Sequence, residues 1–139
     1  MWCYRLFYFG GMVMKETTVK AVKVEPGKQP CVIDLGTDLD SLQKAVSIGA
    51  DYQGLIEFVY LEDNVSAICN EEGKLIGLAP NRRLGDDILC GVFYVVAENE
   101  DCELISLTTA QQEHYAKMFE RIEYIDRDEI GNTVFFRFL

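Results

Sequence analysis

The chain is poor in the residues from which most catalytic and metal-binding sites are built. It has one histidine, His114, and none of its five cysteines forms a C-x-x-C pair. A structural zinc site needs about four Cys, His or carboxylate ligands at close spacing, so the sequence predicts no metal centre. No G-x-S-x-G elbow and no P-loop occurs, which removes two common signatures of acyl and phosphoryl transfer. No cofactor is implied. Basic residues are outnumbered: 13 Lys+Arg stand against 23 Asp+Glu, a formal net charge of −10. Such a surface repels phosphate, which argues against direct nucleic-acid binding. No apolar run approaches the length that spans a bilayer. No internal repeat, low-complexity tract or linker divides the chain.

What is present suffices for one domain with a real core: 139 residues, of which 49% are hydrophobic. The odd number of cysteines (Cys3, Cys31, Cys69, Cys90 and Cys102) and the lack of a secretory signal predict reduced thiols and a cytoplasmic protein. Residues 1–13, MWCYRLFYFGGMV, are aromatic-rich and lie just before a second methionine. Glycine codons at Gly10-Gly11 can spell a purine-rich ribosome-binding element, so these residues read as a non-native or disordered extension. The true start is then Met14, and the domain covers 14–139.

The elements follow in order. TVKAVKVE at 18–25 alternates apolar residues with lysines, as a strand with one wet face does. Pro26-Gly27 turns the chain into a second strand at 30–35. A helix over about 39–48 places Leu39, Leu42 and Val46 on one face, with Gly49 at its end. Residues 54–62 and 65–69 read as a hairpin about Asp63-Asn64. ILCGVFYVVA at 88–97 is the most apolar run and predicts one central, doubly buried strand, with Gly91 marking a bulge or a close approach. A short strand is expected at 102–107. Thr108 and Gln111 form a capping box opening a helix over about 109–121, with Tyr115, Met118, Phe119 and Ile122 on its buried face. The tail reads as a hairpin about 126–132, ending in an aromatic strand that a partner or a second copy could cover. The sum is an α+β fold: a mostly antiparallel β-sheet with two helices packed on it.

The densest stretch is 69–84, CNEEGKLIGLAPNRRL. Asn70-Glu71-Glu72-Gly73 is a turn signal, and Ala79-Pro80-Asn81 breaks the chain again. Arg82 and Arg83 carry forked donors suited to a carboxylate or phosphate. A plain structural role would pair Glu71 or Glu72 with one of these arginines. A functional role makes Asn70, Glu71, Glu72, Lys74, Asn81, Arg82 and Arg83 a site for a small anionic ligand such as a nucleotide.

The pattern N-E-E-G-K-L at Asn70–Leu75, followed by L-x-P-N-R at Leu78–Arg82, resembles a bacterial family described as domain of unknown function 3846. The flanks at 24–28, 57–61, 91–96 and 106–119 are similar to it as well, so the resemblance covers roughly 19–120. It implies an α+β fold and an origin in bacteria, phages or mobile elements, often beside conjugation or anti-defence genes. It implies no enzyme activity.

Seven acidic residues and no basic one fall between Arg83 and Lys117. A solvated face is the plain reading; beyond it, Asp86, Asp87, Glu98, Glu100, Asp101 and Glu103 are candidates for docking a basic protein partner or for mimicking nucleic acid, since complementary charge steers encounter. The leading expectation is therefore a non-enzymatic interaction or regulatory module. Anionic-ligand binding at 70–83 is the alternative. Acid–base or magnesium chemistry would have to draw on Glu71, Glu72, Asp86 and Asp87, and no nucleophile–base pair accompanies them.

Overall fold

The structure is a computed structural model and describes residues 17–130. The extension at 1–13, the start at Met14 and the terminal aromatic strand with its possible self-association lie outside the described residues. Among those described, the fold is α+β and its strand pairs are all antiparallel.

The first two strands, β1 (Thr18–Val24) and β2 (Cys31–Gly36), form the expected hairpin. Helix α1 (Leu39–Val46) is capped by Asp38, whose carboxylate accepts from Ser41 N at 3.0 Å. That capping bond satisfies an orphan helix donor. Hydrogen bonds from Ser41 also hold the Asp38 carboxyl below its ordinary range. Leu42 and Val46 are buried, but Leu39 is exposed at the first turn. Strands β3 (Ile56–Glu62) and β4 (Val65–Asn70) then pair about Asp63-Asn64, with Asn64 at φ 65°.

The apolar run at 88–97 is not one strand. It divides at Gly91 into β6 (Asp87–Cys90) and β7 (Phe93–Glu98). Gly91 has φ +85°, and a Cβ there would lie 2.8 Å from the Leu78 side chain. Its N–H donates to Ala79 O at 2.7 Å, which ties β6 to β5 (Pro80–Leu84) in a separate hairpin. The break read at Ala79-Pro80-Asn81 is where strand β5 begins: it starts at Pro80 itself, where a missing N–H does least harm. Beyond the glycine, β7 enters the main sheet, whose order is β2-β1-β7-β4-β3. The two-residue β8 (Leu104–Ile105) also pairs with β7. Helix α2 (Thr109–Met118) opens with both halves of the capping box formed. It ends three residues earlier than expected, and Met118 points outward while Tyr115 and Phe119 are buried. Residues 121–126 form no strand, and 127–130 make a helical turn instead of a hairpin.

The sheet buries both faces. On one, Val22, Val24, Ala67, Phe93 and Val95 pack with Tyr115 and Phe119 of α2 and Leu89 of the small hairpin. Phe93 and Phe119 meet edge to face at 5.0 Å. On the other, Val19, Ala21, Ile68, Tyr94 and Val96 pack with Leu42 and Val46 of α1. β1 therefore has no fully wet face; Lys20 and Lys23 sit one on each side.

Tyr94 links sheet and helix: its hydroxyl donates to Ala45 O at 2.9 Å, and burial raises its pKa from 10.0 to about 12. The unfolded chain releases this proton near 10, the folded one near 12. The phenol's contribution is thus present below pH 10 and is lost as pH climbs through 12. We expect Tyr94→Phe to cost about 1 kcal/mol at neutral pH. The variant should also lose stability less steeply than the parent between pH 10 and 12, as read by urea unfolding at each pH.

Candidate functional site

The stretch singled out in the sequence builds a loop and a strand with different fates. The loop leaves β4 at Asn70, whose Oδ1 accepts from Glu72 N at 2.9 Å while its carbonyl accepts from Gly73 N at 3.2 Å. This is the Asx-turn chemistry that Asn-x-x-Gly favours. Asn70 is buried, and its amide nitrogen reaches Val46 O at 3.4 Å, tying the turn to the end of α1. Gly73 approaches β6 so closely that a Cβ would sit 2.7 Å from Cys90 O.

The strand that follows carries Asn81 and Arg82, which are 0% and 1% exposed. Asn81 Nδ2 donates to Val24 O and to Gly91 O, each at 2.9 Å. It thereby pins β1 to the glycine where β6 hands over to β7. Arg82 donates from Nε to Phe119 O at 3.0 Å, and from its two terminal nitrogens to Asn81 Oδ1 and Lys28 O, each at 2.8 Å. Phe119 is the C-cap of α2, so the guanidinium closes the negative end of that helix. Burial lowers its pKa, against the opposing pull of Glu123.

Arg83 faces the other way. It bonds both carboxylate oxygens of Glu129, at 2.5 and 3.0 Å, and its Nε lies 3.3 Å from Glu123. Hydrogen bonding from Arg83 holds Glu129 below the ordinary carboxylate range. Arg127 reaches Gly77 O at 3.3 Å, and Ile130 packs with Leu78, Ile88 and Cys90. The helical turn at 127–130 is thus fastened onto the motif. The two arginines do not converge into a clamp, and neither pairs with Glu71 or Glu72. Asn81 and Arg82, offered by the sequence as ligand contacts, are committed to the fold.

The loop half does line a cavity, of about 400 Å³. Its walls come from Asn70–Leu75, from Leu55 and Glu57 at the start of β3, from Cys69, and from Asp87–Cys90 of β6. Lys74 has a nearly buried side chain paired with Asp87, which also accepts from Ile88 N at 2.8 Å. Glu72 accepts a 3.3 Å bond from Tyr52 Oη, and Cys69 Sγ lies 4.0 Å from Glu57 Oε1. Four acidic residues (Glu57, Glu71, Glu72 and Asp87) and Lys74 thus line one cavity, and of the four it is Asp87 that pairs with the Lys74 ammonium. Cys90 is a free thiol, pushed up in pKa by burial. Of the expected ligand set, the structure brings Asn70, Glu71, Glu72 and Lys74 to the cavity and leaves Asn81, Arg82 and Arg83 out of it.

The acidic partner candidates do not form one face. Asp87 stands at the Asn70 end of β4, whereas Glu98 follows Ala97, which pairs with Val65 at the other end, about 17 Å along the strand. Asp86 lies in the tight β5–β6 turn and is exposed. In the β7–β8 turn Asn99 organises the chain: its Oδ1 accepts from the N–H groups of Asp101 and Glu103, and its amide donates to Glu103 Oε1 at 3.2 Å. Glu98 is half-buried and pushed up by burial, while Glu100 is exposed. Sequence reasoning missed Glu57 and Asn99. Glu57 had a signal, a lone carboxylate inside a β-prone run, but its neighbours across the sheet are not local in sequence.

Among the described residues no three His, Cys, Asp or Glu side chains gather as a metal-holding group. His114 is exposed and stands edge-on to Tyr115 at 4.8 Å. Cys102 is disulfide-bonded, against the expectation of reduced thiols throughout; Cys31, Cys69 and Cys90 are in no disulfide. No helix among the described residues is long and apolar enough to cross a membrane.

A family model described as "Domain of unknown function (DUF3846)" matches residues 19–120, and the chain belongs to that family. The matched region runs from β1 through α2 and includes the whole motif. No curated protein and no solved structure matches the chain.

Proposed function

We propose that this member of the DUF3846 family is a non-enzymatic protein-interaction module that regulates or inhibits a basic partner. Its setting is the bacterial cytoplasm, as a product of a bacterium, phage or mobile element, with anti-defence as one role. One observation carries the reading. The cations of the signature stretch are all engaged within the chain: Arg82 by carbonyls, Arg83 by Glu123 and Glu129, Lys74 by Asp87. Glu71 and Glu72 of the stretch are exposed, on a chain of net charge −10. Surfaces of one sign steer partners of the other.

An anionic small ligand has one feature in its favour, the Lys74 ammonium on the cavity wall. Its pairing with Asp87, in a cavity whose lining also includes Glu57, Glu71 and Glu72, weakens that reading.

Native mass spectrometry of the full chain, purified gently at low ionic strength, tests the proposal. A basic protein should be retained at low salt and released as salt screens the contact. A retained small anion would overturn the interaction reading in favour of a ligand. Turnover of a substrate, lost in Glu71→Gln, would overturn it in favour of an enzyme.

A further inference from the structure

We propose that residues 121–130 are a reversible strap: they fill a groove along β5 that, once they lift, takes an acidic, isoleucine-bearing segment of a partner protein in their place. The groove is distinct from the acidic surface on which the interaction reading rests.

Side chains hold the strap down. Among the described residues, no backbone–backbone hydrogen bond joins 121–129 to the chain before them. Glu123 accepts from Arg83 N at 3.0 Å, Glu129 takes the fork of the Arg83 guanidinium, and Arg127 reaches Gly77 O. Ile125 and Ile130 pack with Leu78, Ile88 and Cys90. Arg83 and its two carboxylates are partly exposed, where ion pairs hold weakly and salt screens them. Nor is the strap packed on every side: 123–126 border an open hollow of about 550 Å³ with Pro26, Gly27 and Pro80, and Tyr124 is 92% exposed. A segment with few buried contacts and no backbone ladder belongs to the least stable part of a fold and opens before the rest.

What sits in the groove shows what it accepts. The floor is apolar, formed by Leu78, Ile88 and Cys90. Arg83 stands opposite Ile88 in the hairpin register, so a cation flanks that floor. When the strap lifts, the Arg83 N–H and guanidinium lose their acceptors. An incoming segment must bring carboxylates to Arg83 and aliphatic side chains to the floor, as Glu123, Glu129, Ile125 and Ile130 do now. A phosphate chain lacks the aliphatic half, and Arg83 repels a basic segment. The family match ends at residue 120, so the groove lies inside it and the strap outside.

Alkylation of the full chain with iodoacetamide, read at each cysteine by peptide mass, tests the opening. Cys90 belongs to the cluster that Ile130 completes and Cys69 to the core of the main sheet; each is 4% exposed. Cys90 should be labelled about tenfold faster than Cys69 without denaturant, because the strap opens ahead of global unfolding. Added salt, or Glu123→Gln/Glu129→Gln, should speed Cys90 several-fold more. In that variant a capped RIEYIDRDEI peptide added in trans should fill the groove and slow Cys90, whereas the peptide carrying Ile125→Ser and Ile130→Ser should not. Equal rates at Cys90 and Cys69, rising together with urea, would overturn the strap, since it would then leave only with the whole fold. Fast labelling at Cys90 that neither peptide slows, or that both slow alike, would overturn the groove as a docking site. A dimer by native mass whose dissociation exposes Cys90 would assign the groove to the strap of a second copy and overturn the partner.

Discussion

Replacing Arg82 with methionine is expected to destabilise the fold by about 3–4 kcal/mol, the largest effect of any single change outside the apolar core. Methionine keeps much of the apolar stem, so the loss isolates the guanidinium. That group joins three separate parts of the chain: the C-cap of α2 through Phe119 O, the β1–β2 turn through Lys28 O, and its own strand through Asn81. Removing it leaves carbonyls that were bonded to a cation without a donor in a site that is 1% exposed. Arg82→Lys is expected to recover little. One ammonium on a flexible stem cannot address acceptors on three elements at once. Urea unfolding of both variants reads the effect. Parent-like stability in Arg82→Lys would mean that charge alone, rather than the fork, is what the fold uses.

Asn81→Ala is expected to cost about 2–3 kcal/mol. Its amide donates to Val24 O and Gly91 O, so truncation orphans two buried acceptors, one on β1 and one at the junction of β6 and β7. It also removes Oδ1, the partner of Arg82. Because the two residues share that bond, Asn81→Ala/Arg82→Met should cost less than the sum of the single changes, and a double-mutant cycle in urea measures the shortfall. Additive losses would mean that each residue works alone. Both changes should also loosen α2, seen as faster amide exchange at Tyr115–Phe119, because the helix end loses the group that closes it.

Much of the architecture was legible because its signals are local. Asn70 and Gly73 form the turn their types prefer, Asn64 takes the left-handed backbone of a tight hairpin, and Thr108 and Gln111 cap α2 reciprocally. Both helices and the pairings of β1 with β2 and β3 with β4 followed from periodicity and turn residues. The illegible parts depend on partners distant in sequence. The run at 88–97 is apolar throughout, and composition does not say that β6 and β7 belong to different sheets. Only the positive φ at Gly91 and its contact with Leu78 divide them.

Where the candidate site residues lie was illegible for the same reason. Adjacent arginines look alike in a sequence, yet alternation along β5 turns Arg82 into the core beneath α2 and Arg83 out to Glu123 and Glu129. Carboxylates close in sequence, such as Asp87 and Glu98, stand at opposite ends of β4. Glu57 and Glu72, fifteen positions apart, share one cavity.

The signature stretch locks the fold at Asn81 and Arg82, and we propose that its other half, at 71–74, is the part left for binding. The measurement that tests it most directly is the urea midpoint of Glu71→Gln/Glu72→Gln set beside that of Arg82→Met. The glutamine pair should unfold within about 0.5 kcal/mol of the parent while Arg82→Met loses several-fold more. A glutamine pair as destabilised as Arg82→Met would contradict the division, because the carboxylates would then be holding the fold rather than facing a partner.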